Sequence, residues 1–397
     1  MAPRGIIRAA TGLAVGAATA ITALTLTNPG SGYVSTPTVT ISGGGGTGAV
    51  ATAAITIAPV TLAYQPMGIQ ELFDPNYGRM NATMSMEIPN TNGTIQTTIP
   101  YGYIDPPTEI INTAASGALG GAVPLQMLPD GTQIWKFTHN GVDTHSVHFH
   151  MFNIELINRV GWDGAIRPPD KNEMGWKDTV RMSPLEDAIV AIKPIVPNLP
   201  WPLPNSIRPL DVTSALGTSG VQYTNVNPIG NPVTVLNHLV NYGWEYVFHC
   251  HLLGHEENDM MRPMLFGIAP ISPSGVTAVS PSATAAAPSA DVTFTDSSVN
   301  ETGFTLQRSD DNGLTWVDAG TFDRPAPVLN ANQSVTDYGV STGDVLTITD
   351  TSPLLVSTST HLYRVLAKDV IGDTQTVGYK SMTVNSVPSA TVTVVIP

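Results

Sequence analysis

The chain has 397 residues, which is enough for two or three domains with cores of their own. Its formal net charge of −14 argues against nucleic-acid binding; it suits a cationic substrate, although solubility is the simpler interpretation. Charged residues make up only 12%, while 36 glycines and 33 prolines favour short strands joined by turns. The composition therefore predicts an all-β protein.

Residues 1–60 form a first region that is rich in Gly, Ala and Thr. Two arginines precede an apolar run over 9–24, a pattern that is typical of a secretory signal. However, the segment 11–26 resembles 47–62, since both begin Thr-Gly and end Thr-Leu, which indicates an internal β repeat. We prefer the repeat, which implies that Met1 lies inside a longer natural protein. No apolar run has the length of a typical membrane-spanning helix.

Residues 61–272 form a second region, which holds eight of the nine histidines and five of the six tryptophans. Any chemistry that depends on several histidines therefore belongs there. Short runs rich in β-branched and aromatic residues predict strands in this region. These runs lie at 134–138, 147–157, 188–192 and 244–251. The second region is therefore also expected to be β.

The segment 194–232 contains eight prolines. Proline cannot donate a hydrogen bond to a neighbouring strand, so this segment cannot be a central strand. We interpret it as a long surface loop. The alternative is a lid or a substrate rim, because long loops without regular structure are often functional.

Residues 273–397 begin with a linker, since the stretch 270–290 is rich in Pro, Ser and Ala. Further strands are predicted at 292–295, 304–308 and 361–367, and the Asp-Asp-Asn-Gly sequence at 310–313 is a strong turn signal. This region resembles a fibronectin type III module, including Trp316 and the strand with Tyr363. Such modules space, dock or adhere, and His361 is expected to be a strand or surface histidine.

The strongest signal for function surrounds Cys250, the single cysteine of the chain. His249 and His251 flank it, His255 follows five residues later, and Met260 follows after ten. One cysteine cannot form an intrachain disulfide, so another role is expected. A thiolate, imidazoles and a thioether together are the ligand set of a blue-copper centre.

A second histidine cluster comprises His145, His148 and His150. Successive side chains of a strand point to opposite faces, so His148 and His150 share one face and His145 takes the other. By the same alternation, the two histidines that flank Cys250 share a face that the thiol does not. If the two strands are neighbours, one site gathers the thiol with His145, and a second site gathers the four remaining imidazoles.

These two motifs, HxxHxH and HCHxxxHxxxxM, resemble the C-terminal cupredoxin domain of multicopper oxidases. The segments 246–256 and 259–264 are similar to bacterial spore-coat laccase and bilirubin oxidase, and Trp176–Val180 matches a strand of that family. The segment 78–83 resembles the entry to this domain in large bacterial metal-oxidising members. The resemblance covers about 61–268 and implies a cupredoxin-like Greek-key sandwich or barrel for 61–272.

The resemblance also implies copper as the cofactor and assigns each ligand. The type 1 ligands are His145, Cys250, His255 and Met260, the type 2 ligand is His148, and the type 3 ligands are His150, His249 and His251. Glu256 matches an acidic residue that helps to deliver protons for oxygen reduction; the alternative is a solvated carboxylate.

The chain departs from the family pattern in two ways. Ser146 stands where the family usually has proline, which affects only the rigidity of the loop. More importantly, the family's trinuclear cluster takes eight histidines, and half of them come from two HxH motifs in an N-terminal domain that this sequence does not contain. His139 and His238 stand alone and are expected to be structural.

We therefore expect the C-terminal part of a multicopper oxidase that takes electrons from a reductant and reduces dioxygen to water. Phenols, bilirubin-like pigments, manganese(II) and iron(II) all fit the family as reductants. An upstream cupredoxin domain or another chain would complete the cluster. The alternatives are a blue-copper electron carrier or surface-binding protein, and a structural β protein. Family analogy alone predicts an extracytoplasmic location.

Overall fold

The computed structural model describes residues 11–17, 20–28, 38–41, 50–53, 64–76, 78–88, 98–112, 131–197, 199–220, 222–281, 288–330, 335–337 and 342–397. They belong to two compact units, Met1–Thr61 and Leu62–Pro397. The one helix within these ranges is α1 (Leu253–Glu256), and strands provide the rest of the regular structure. The predicted all-β class is confirmed. No helix in the described ranges has the length and apolarity needed to cross a bilayer.

The first unit contains an antiparallel hairpin of β1 (Thr11–Ala17) and β2 (Ala20–Asn28). These strands cover most of the first copy of the predicted repeat. The second copy, 47–62, lies largely outside the described residues. The repeat itself therefore stays a prediction.

The second unit begins with two sheets. Their strands, together with β13 and β14 of a third sheet, are β3 (Tyr64–Asp74), β4 (Arg79–Glu87), β5 (Thr98–Pro100), β6 (Glu109–Asn112), β7 (Gln133–His139), β8 (His145–Phe149), β9 (Phe152–Gly161), β10 (Ile166–Arg167), β11 (Thr179–Met182), β12 (Glu186–Pro194), β13 (Ile207–Pro209), β14 (Leu239–Asn241), β15 (Trp244–Cys250) and β16 (Met261–Gly267). One sheet has the order β10-β9-β12-β7-β3-β4-β5, and the other has the order β11-β8-β15-β16-β6. Most neighbours are antiparallel; β3 with β7 and β6 with β16 are parallel.

The core of these two sheets is aromatic. Trp135 and Phe137 on β7 pack against Phe149 on β8 and Phe248 on β15, with ring centroids 5.5–6.2 Å apart. All four side chains are buried, and burying each one stabilises the fold by about 1.5–3 kcal/mol. This packing joins the two sheets directly beneath the strands that carry the histidine motifs.

Three of the four predicted strands of this region are present as β7, β12 and β15. The fourth prediction, a single strand over 147–157, is wrong, because the chain forms β8 and β9 on either side of a turn. Met151 in that turn has a φ of 62°. The turn is required because β8 belongs to the five-stranded sheet and β9 to the seven-stranded one. His150 therefore lies just beyond the end of β8.

The proline-rich segment is largely irregular and exposed, as expected of a surface loop, but parts of it are anchored to the rest of the unit. After the end of β12, the strand structure among its described residues is β13, an edge strand that pairs with β14, as the proline content requires. Leu210 and Tyr223 are buried in a small core together with Val240 of β14. The amide Nδ2 of Asn237 donates to the carbonyls of Asp211 at 2.8 Å and Ser214 at 2.7 Å. These contacts fix much of the segment inside the unit.

The remaining strands follow residue 272. They are β17 (Ser274–Val279), β18 (Ala290–Thr295), β19 (Gly303–Ser309), β20 (Val317–Asp323), β21 (Val328–Leu329), β22 (Val335–Asp337), β23 (Val345–Asp350), β24 (Thr360–Gly372), β25 (Ser381–Asn385) and β26 (Val392–Val395). A sheet in the order β13-β14-β24-β19-β20 contains strands from both sides of that residue. The proposed division at 272 and the fibronectin-like assignment both stay predictions.

One detail of this region corrects the sequence interpretation. The stretch 270–290 is not only a linker, because it contains β17, which pairs with β18. Val276 and Ala278 of β17 pack against the C-terminal core, so alternate apolar residues form a strand despite the Pro/Ser/Ala composition. His361, on β24, contacts the Asp310 carboxylate at 2.6 Å and the Ser359 hydroxyl at 2.7 Å. It has a structural role in that strand.

Candidate metal centre

The two histidine motifs lie side by side on neighbouring strands. β8 and β15 are antiparallel, with His249 opposite His148 and Cys250 opposite Val147. The condition on which the strand-parity argument depends is therefore met. Burial alternates along β8, where His145 is buried and His148 is partly exposed, whereas the last three residues of β15, 248–250, are all buried.

The first group contains Cys250 and His145, which are buried, and His255, which is partly exposed. The Cys250 Sγ lies 3.6 Å from the Nδ1 atoms of both histidines, and these two nitrogens are 3.1 Å apart. Donor atoms about 2.1 Å from one ion in a tetrahedral arrangement lie about 3.4 Å from each other. The three donors therefore fit around a single metal ion, and a thiolate with two imidazoles is a donor set that suits copper.

A short loop returns the chain from Cys250 to the same place. α1 carries His255 near its end, and the Met260 amide donates to the His255 carbonyl at 3.1 Å. The Cys250 amide then donates to the Met260 carbonyl at 3.0 Å. Met260 is fully buried in the core that also contains Cys250. The loop thus places the thioether residue beside the thiol, as the spacing of the motif suggested.

Burial sets the electrostatics of this group. Desolvation raises the pKa of the Cys250 thiol, although the backbone amides of Leu252 and Ser146 act in the opposite direction. Desolvation also lowers the pKa of His145. The site therefore favours a neutral imidazole, which is the form that binds a metal, and a metal cation would in turn stabilise the thiolate.

Glu71 on β3 is a functional residue that the sequence interpretation missed. Its Oε1 accepts a hydrogen bond from His145 Nε2 at 2.9 Å, and its side chain is only 2% exposed. The amides of Val142 and Asp143 also donate to this carboxylate, at 2.7 and 3.0 Å. Despite desolvation, these hydrogen bonds hold the pKa of Glu71 below its usual value. The carboxylate thereby fixes the imidazole with Nδ1 directed to Cys250.

The loop around Glu71 leaves His139 without a free ring nitrogen. His139 Nε2 contacts the Asp143 carbonyl at 2.6 Å, and its Nδ1 accepts from the Gly141 amide at 3.2 Å. His139, His145 and Glu71 do lie close enough to be considered as a metal group. We assign His139 a structural role, because both of its nitrogens are engaged. A Cβ on Gly141 would lie 2.2–2.5 Å from the Glu71 carboxylate, so a side chain at this position would displace the carboxylate.

The second group contains the four imidazoles on the outer side of the five-stranded sheet. His148 lies 5.1 Å from His150, 5.4 Å from His249 and 5.5 Å from His251, measured between ring centroids. The Nε2 atoms of His150 and His249 are 3.2 Å apart. His148, His150 and His249 each offer a nitrogen within 4.8 Å of the others. An all-imidazole group of this kind suits copper.

Hydrogen bonds orient two of these rings. His148 Nδ1 contacts the Thr179 hydroxyl at 3.0 Å, and His249 Nδ1 lies 3.3 Å from the Cys250 carbonyl. In both rings Nε2 is left for a ligand. The Glu256 carboxylate is 3.5 Å from His249 Nδ1, so it lies beside this group. Desolvation, followed by the charges of neighbouring imidazoles, lowers the pKa of His150.

The second group is more exposed than the first, although each has one exception. His251 is exposed and His148 and His150 are partly exposed, but His249 is buried. Cys250 and His145 are fully buried, but His255 is partly exposed. His238, the remaining histidine of the region, contacts the Asp373 carboxylate at 3.0 Å and takes no part in either group. The structure thus brings the donor atoms of six predicted ligands together in two groups, which are joined through consecutive residues. The Met260 side chain is buried in the same core as Cys250, and the His251 ring centroid lies 5.5 Å from those of His148 and His249.

Comparison with known proteins gives relatives of one kind. The chain is 27% identical over 164 residues to a laccase of Haloferax volcanii, covering 40% of this chain and 20% of that protein. It is 25% identical over 146 residues to a laccase of Bacillus subtilis, covering 34% and 20%. A rice protein named multicopper oxidase LPR1 homolog 3 is 24% identical over 187 residues, covering 40% and 26%. The chain therefore spans about a fifth to a quarter of the length of these relatives.

Solved structures that align with this chain also include multicopper oxidases. A multicopper oxidase from Campylobacter jejuni, described as a metallo-oxidase, aligns with 56% of this chain and 34% of its own, at 12% identity and a TM-score of 0.26. McoA from Aquifex aeolicus aligns with 55% and 33%, at 14% identity and a TM-score of 0.27. The chain matches no model of a known protein family. The curated relatives are copper oxidases, and this chain carries His and Cys groups with the spacing that a metal requires.

Proposed function

We propose that this chain is the C-terminal part of a multicopper oxidase. The observation that supports the proposal is that a thiol–imidazole group and an all-imidazole group lie on opposite sides of one strand. In this proposal the type 1 ligands are His145, Cys250, His255 and Met260, the type 2 ligand is His148, and the type 3 ligands are His150, His249 and His251. Copper in these positions supplies one-electron exchange at the thiolate and reduction of dioxygen at the imidazoles.

The protein's contribution is to hold the donors rigidly and away from water. Glu71 fixes the His145 ring, and the aromatic core against Phe248 excludes solvent from the thiol side. Cys250 is covalently joined to His249 and His251. The two groups are therefore connected by a single peptide unit on each side of Cys250, which is the shortest covalent path that separate donor residues allow.

Glu256 is the candidate proton donor of the oxygen-reducing side. Its Oε2 has no hydrogen-bond partner among the described residues and lies 3.5 Å from His249 Nδ1. A carboxylate in this position can pass a proton between solvent and the imidazole group. It is also partly exposed, so it has contact with solvent from which it can be reprotonated.

The second group has half of the imidazoles that a trinuclear cluster takes, and its outer side is exposed at His251. We propose that an upstream cupredoxin domain or another chain covers this side and supplies the other four. The reductant is a metal ion, such as manganese(II) or iron(II), or a phenol. The net charge of −14 favours the metal ions, and by analogy the protein works outside the cytoplasm. The region 273–397 serves as a fibronectin-like spacer or docking module.

The test is to express the chain together with the coding sequence that lies upstream of Met1. The extended protein should consume dioxygen when a reductant is supplied, and His249→Gln in it should abolish uptake. His361→Gln provides the control, because His361 lies on β24, contacts Asp310 and belongs to neither histidine group. If the extended protein with full copper loading consumes no dioxygen, the oxidase assignment is wrong.

One observation favours a second candidate, a blue-copper electron carrier. The proposed thiol-side ligands all lie within this chain, and Cys250 and His145 are fully buried, whereas His251 of the imidazole group is exposed. A carrier needs only the first group. An upstream sequence without HxH motifs, together with reversible one-electron reduction of the isolated chain, would support the carrier and exclude the oxidase.

A further inference from the structure

A cluster of buried carboxylates lies far from the copper-ligand candidates, where the proline-rich segment meets the C-terminal strands. Asp296, Glu301 and Asp369 have fully buried side chains. One of the three, Glu301, lines a cavity of about 820 Å³ together with Asn205 and Asn241, among others. Neither of the candidate copper groups contributes to this cavity.

The charges of this cluster do not balance. Arg324 pairs with Asp296 at 3.4 Å and with Glu301 at closer range, and it is the one cation that pairs with these carboxylates among the described residues. Three carboxylates and one guanidinium leave two negative charges when all are ionised. Isolated charges are costly to bury, so the cluster needs either protons or a cation to balance it.

The electrostatics agree with this imbalance. Burial raises the pKa of Asp369 well above its usual range, and the negative charge of Glu301 adds to this effect. Hydrogen bonds from Asn241 and Asn205 and the positive charge of Arg324 act in the opposite direction. Burial and the neighbouring Asp296 also raise the pKa of Glu301. Both carboxylates therefore resist ionisation in the absence of a further positive charge.

Independent of the carboxylates, an amide oxygen points to a cation. The Asn205 amide nitrogen is fixed by two acceptors, the Asn300 carbonyl at 2.8 Å and Asp369 Oδ1 at 2.9 Å. Its Oδ1 has no hydrogen-bond partner among the described residues although the residue is only 7% exposed, and the side chain lines the same cavity as Glu301. Asp369 Oδ2 and Glu301 Oε2 also lack such partners. Three buried oxygen atoms therefore accept no hydrogen bond from the described residues, and they are candidate ligands for a cation.

We propose that Asp369, Glu301 and Asn205 form a binding site for a hard divalent cation of the calcium class. The donors are all oxygens, which is the ligand type that calcium prefers, and backbone carbonyls and water can complete its shell. Two positive charges balance the two excess negative ones. Because Asn205 belongs to the proline-rich segment and the carboxylates to the C-terminal strands, the ion fastens these two parts of the unit to each other.

The test uses the copper-free full chain after treatment with a chelator. Calcium chloride is titrated in by isothermal titration calorimetry, and thermal unfolding is followed in parallel. We expect one high-affinity site per chain and a rise in Tm of about 5 °C when calcium exceeds its Kd a hundredfold. Glu301→Gln and Asn205→Ala should weaken binding about tenfold or more. Asp318→Asn, an exposed aspartate on β20, should bind as the wild type does.

Two results overturn the proposal. The first is calcium binding that is absent, or equal in the wild type and in both site variants. The second is a Tm that does not change when calcium is added but rises on acidification, since protons alone would then balance the charge of the carboxylates. Should Asn205→Ala fail to fold, the near-isosteric Glu301→Gln decides the matter, because it removes one charge without removing volume.

Discussion

The two groups of candidate ligands around β15 differ in burial and in the contacts that support them, although both come from the same two sequence motifs. On the core side, Cys250 and His145 are fully buried, and Glu71 holds the His145 ring from a distant strand. On the outer side, four imidazoles form a looser group, with His251 exposed to solvent. The two sides use ligands from the same two motifs. What separates them is the support that the rest of the chain provides.

This difference shows which side is self-sufficient. The thiol group has donors 3.1–3.6 Å apart, a carboxylate that orients one ring, and an aromatic core beneath it. The imidazole group receives hydrogen bonds from Thr179 and the Cys250 carbonyl but has no protein layer over His251 among the described residues. We infer that the first group can bind copper in this chain alone and that the second needs a partner.

The largest expected effect comes from removing the thiol. Cys250→Ser should eliminate the intense visible absorption of the copper-loaded chain, because a hydroxyl cannot replace the soft thiolate donor. Copper bound by the outer imidazoles should remain. Visible absorption and total copper measured on the same sample check this. An unchanged absorption band would show that Cys250 is not a ligand.

The reciprocal variant is His148→Gln combined with His150→Gln. It should lower the copper content of the outer side while the visible absorption is kept, because His148 lies opposite His249 on β15 and His150 contacts the His249 ring. Elemental analysis and absorption give the two readouts. Loss of the band in this variant would contradict the separation of the two sides.

Glu71→Gln tests the support of the thiol side. The amide keeps the size of the side chain but loses the charge that accepts from His145 and two backbone amides. We expect copper affinity at Cys250 to fall about 10–100-fold, as is typical when a group that orients a metal-binding histidine is removed. Competition with a chelator, followed by absorption, measures this. Glu155→Gln, on β9, is the matched control and should have no effect.

Gly141→Ala should act in the same direction with a smaller effect. The added methyl group would overlap the Glu71 carboxylate, so the carboxylate must move away from His145. We expect about a tenfold or smaller loss of copper affinity. Gly254→Ala is the matched control, since a Cβ there meets nothing within 4 Å. Equal behaviour of the two variants would remove the orienting role of Glu71.

The smallest effect concerns pH in the copper-free chain. The pKa values of His145 and His150 are lowered in the folded state, in both cases chiefly by burial. Above the unfolded pKa of about 6.5, both states are neutral and these residues contribute nothing. As the pH falls below that value, the unfolded chain binds protons that the folded chain resists, so the free energy of unfolding decreases.

Chemical denaturation at several pH values checks this prediction. His150→Gln should make stability less sensitive to acid, because one group with a lowered pKa is gone. A variant that loses stability on acidification as steeply as the wild type would show that His150 does not contribute. His361→Gln serves as a comparison on a distant strand.

The sequence predicted the all-β class and the parity of the ligands because both depend on local patterns. His249, Cys250 and His251 alternate by strand geometry alone, and β8 and β15 proved to be neighbours. The break at Met151 was not predictable from the apolar run, since it depends on β8 and β9 joining different sheets. The order of the proline-rich segment likewise depends on contacts with distant strands.

Glu71 could not be found from the sequence. It precedes His145 by 74 residues, and no motif connects the two. The sequence contains one weak indication of this contact, which is the glycine at position 141 in the loop that packs against the Glu71 carboxylate. Residues that support a ligand from another strand become visible only when tertiary structure brings them together.

The most direct test of the account uses the isolated, copper-loaded chain. It should show the intense visible absorption of thiolate-bound copper, lose it on anaerobic addition of a one-electron reductant, and consume no dioxygen in repeated cycles. That result matches a complete thiol group beside an incomplete imidazole group. Sustained dioxygen uptake by the isolated chain, or a copper-loaded chain without colour, would contradict it.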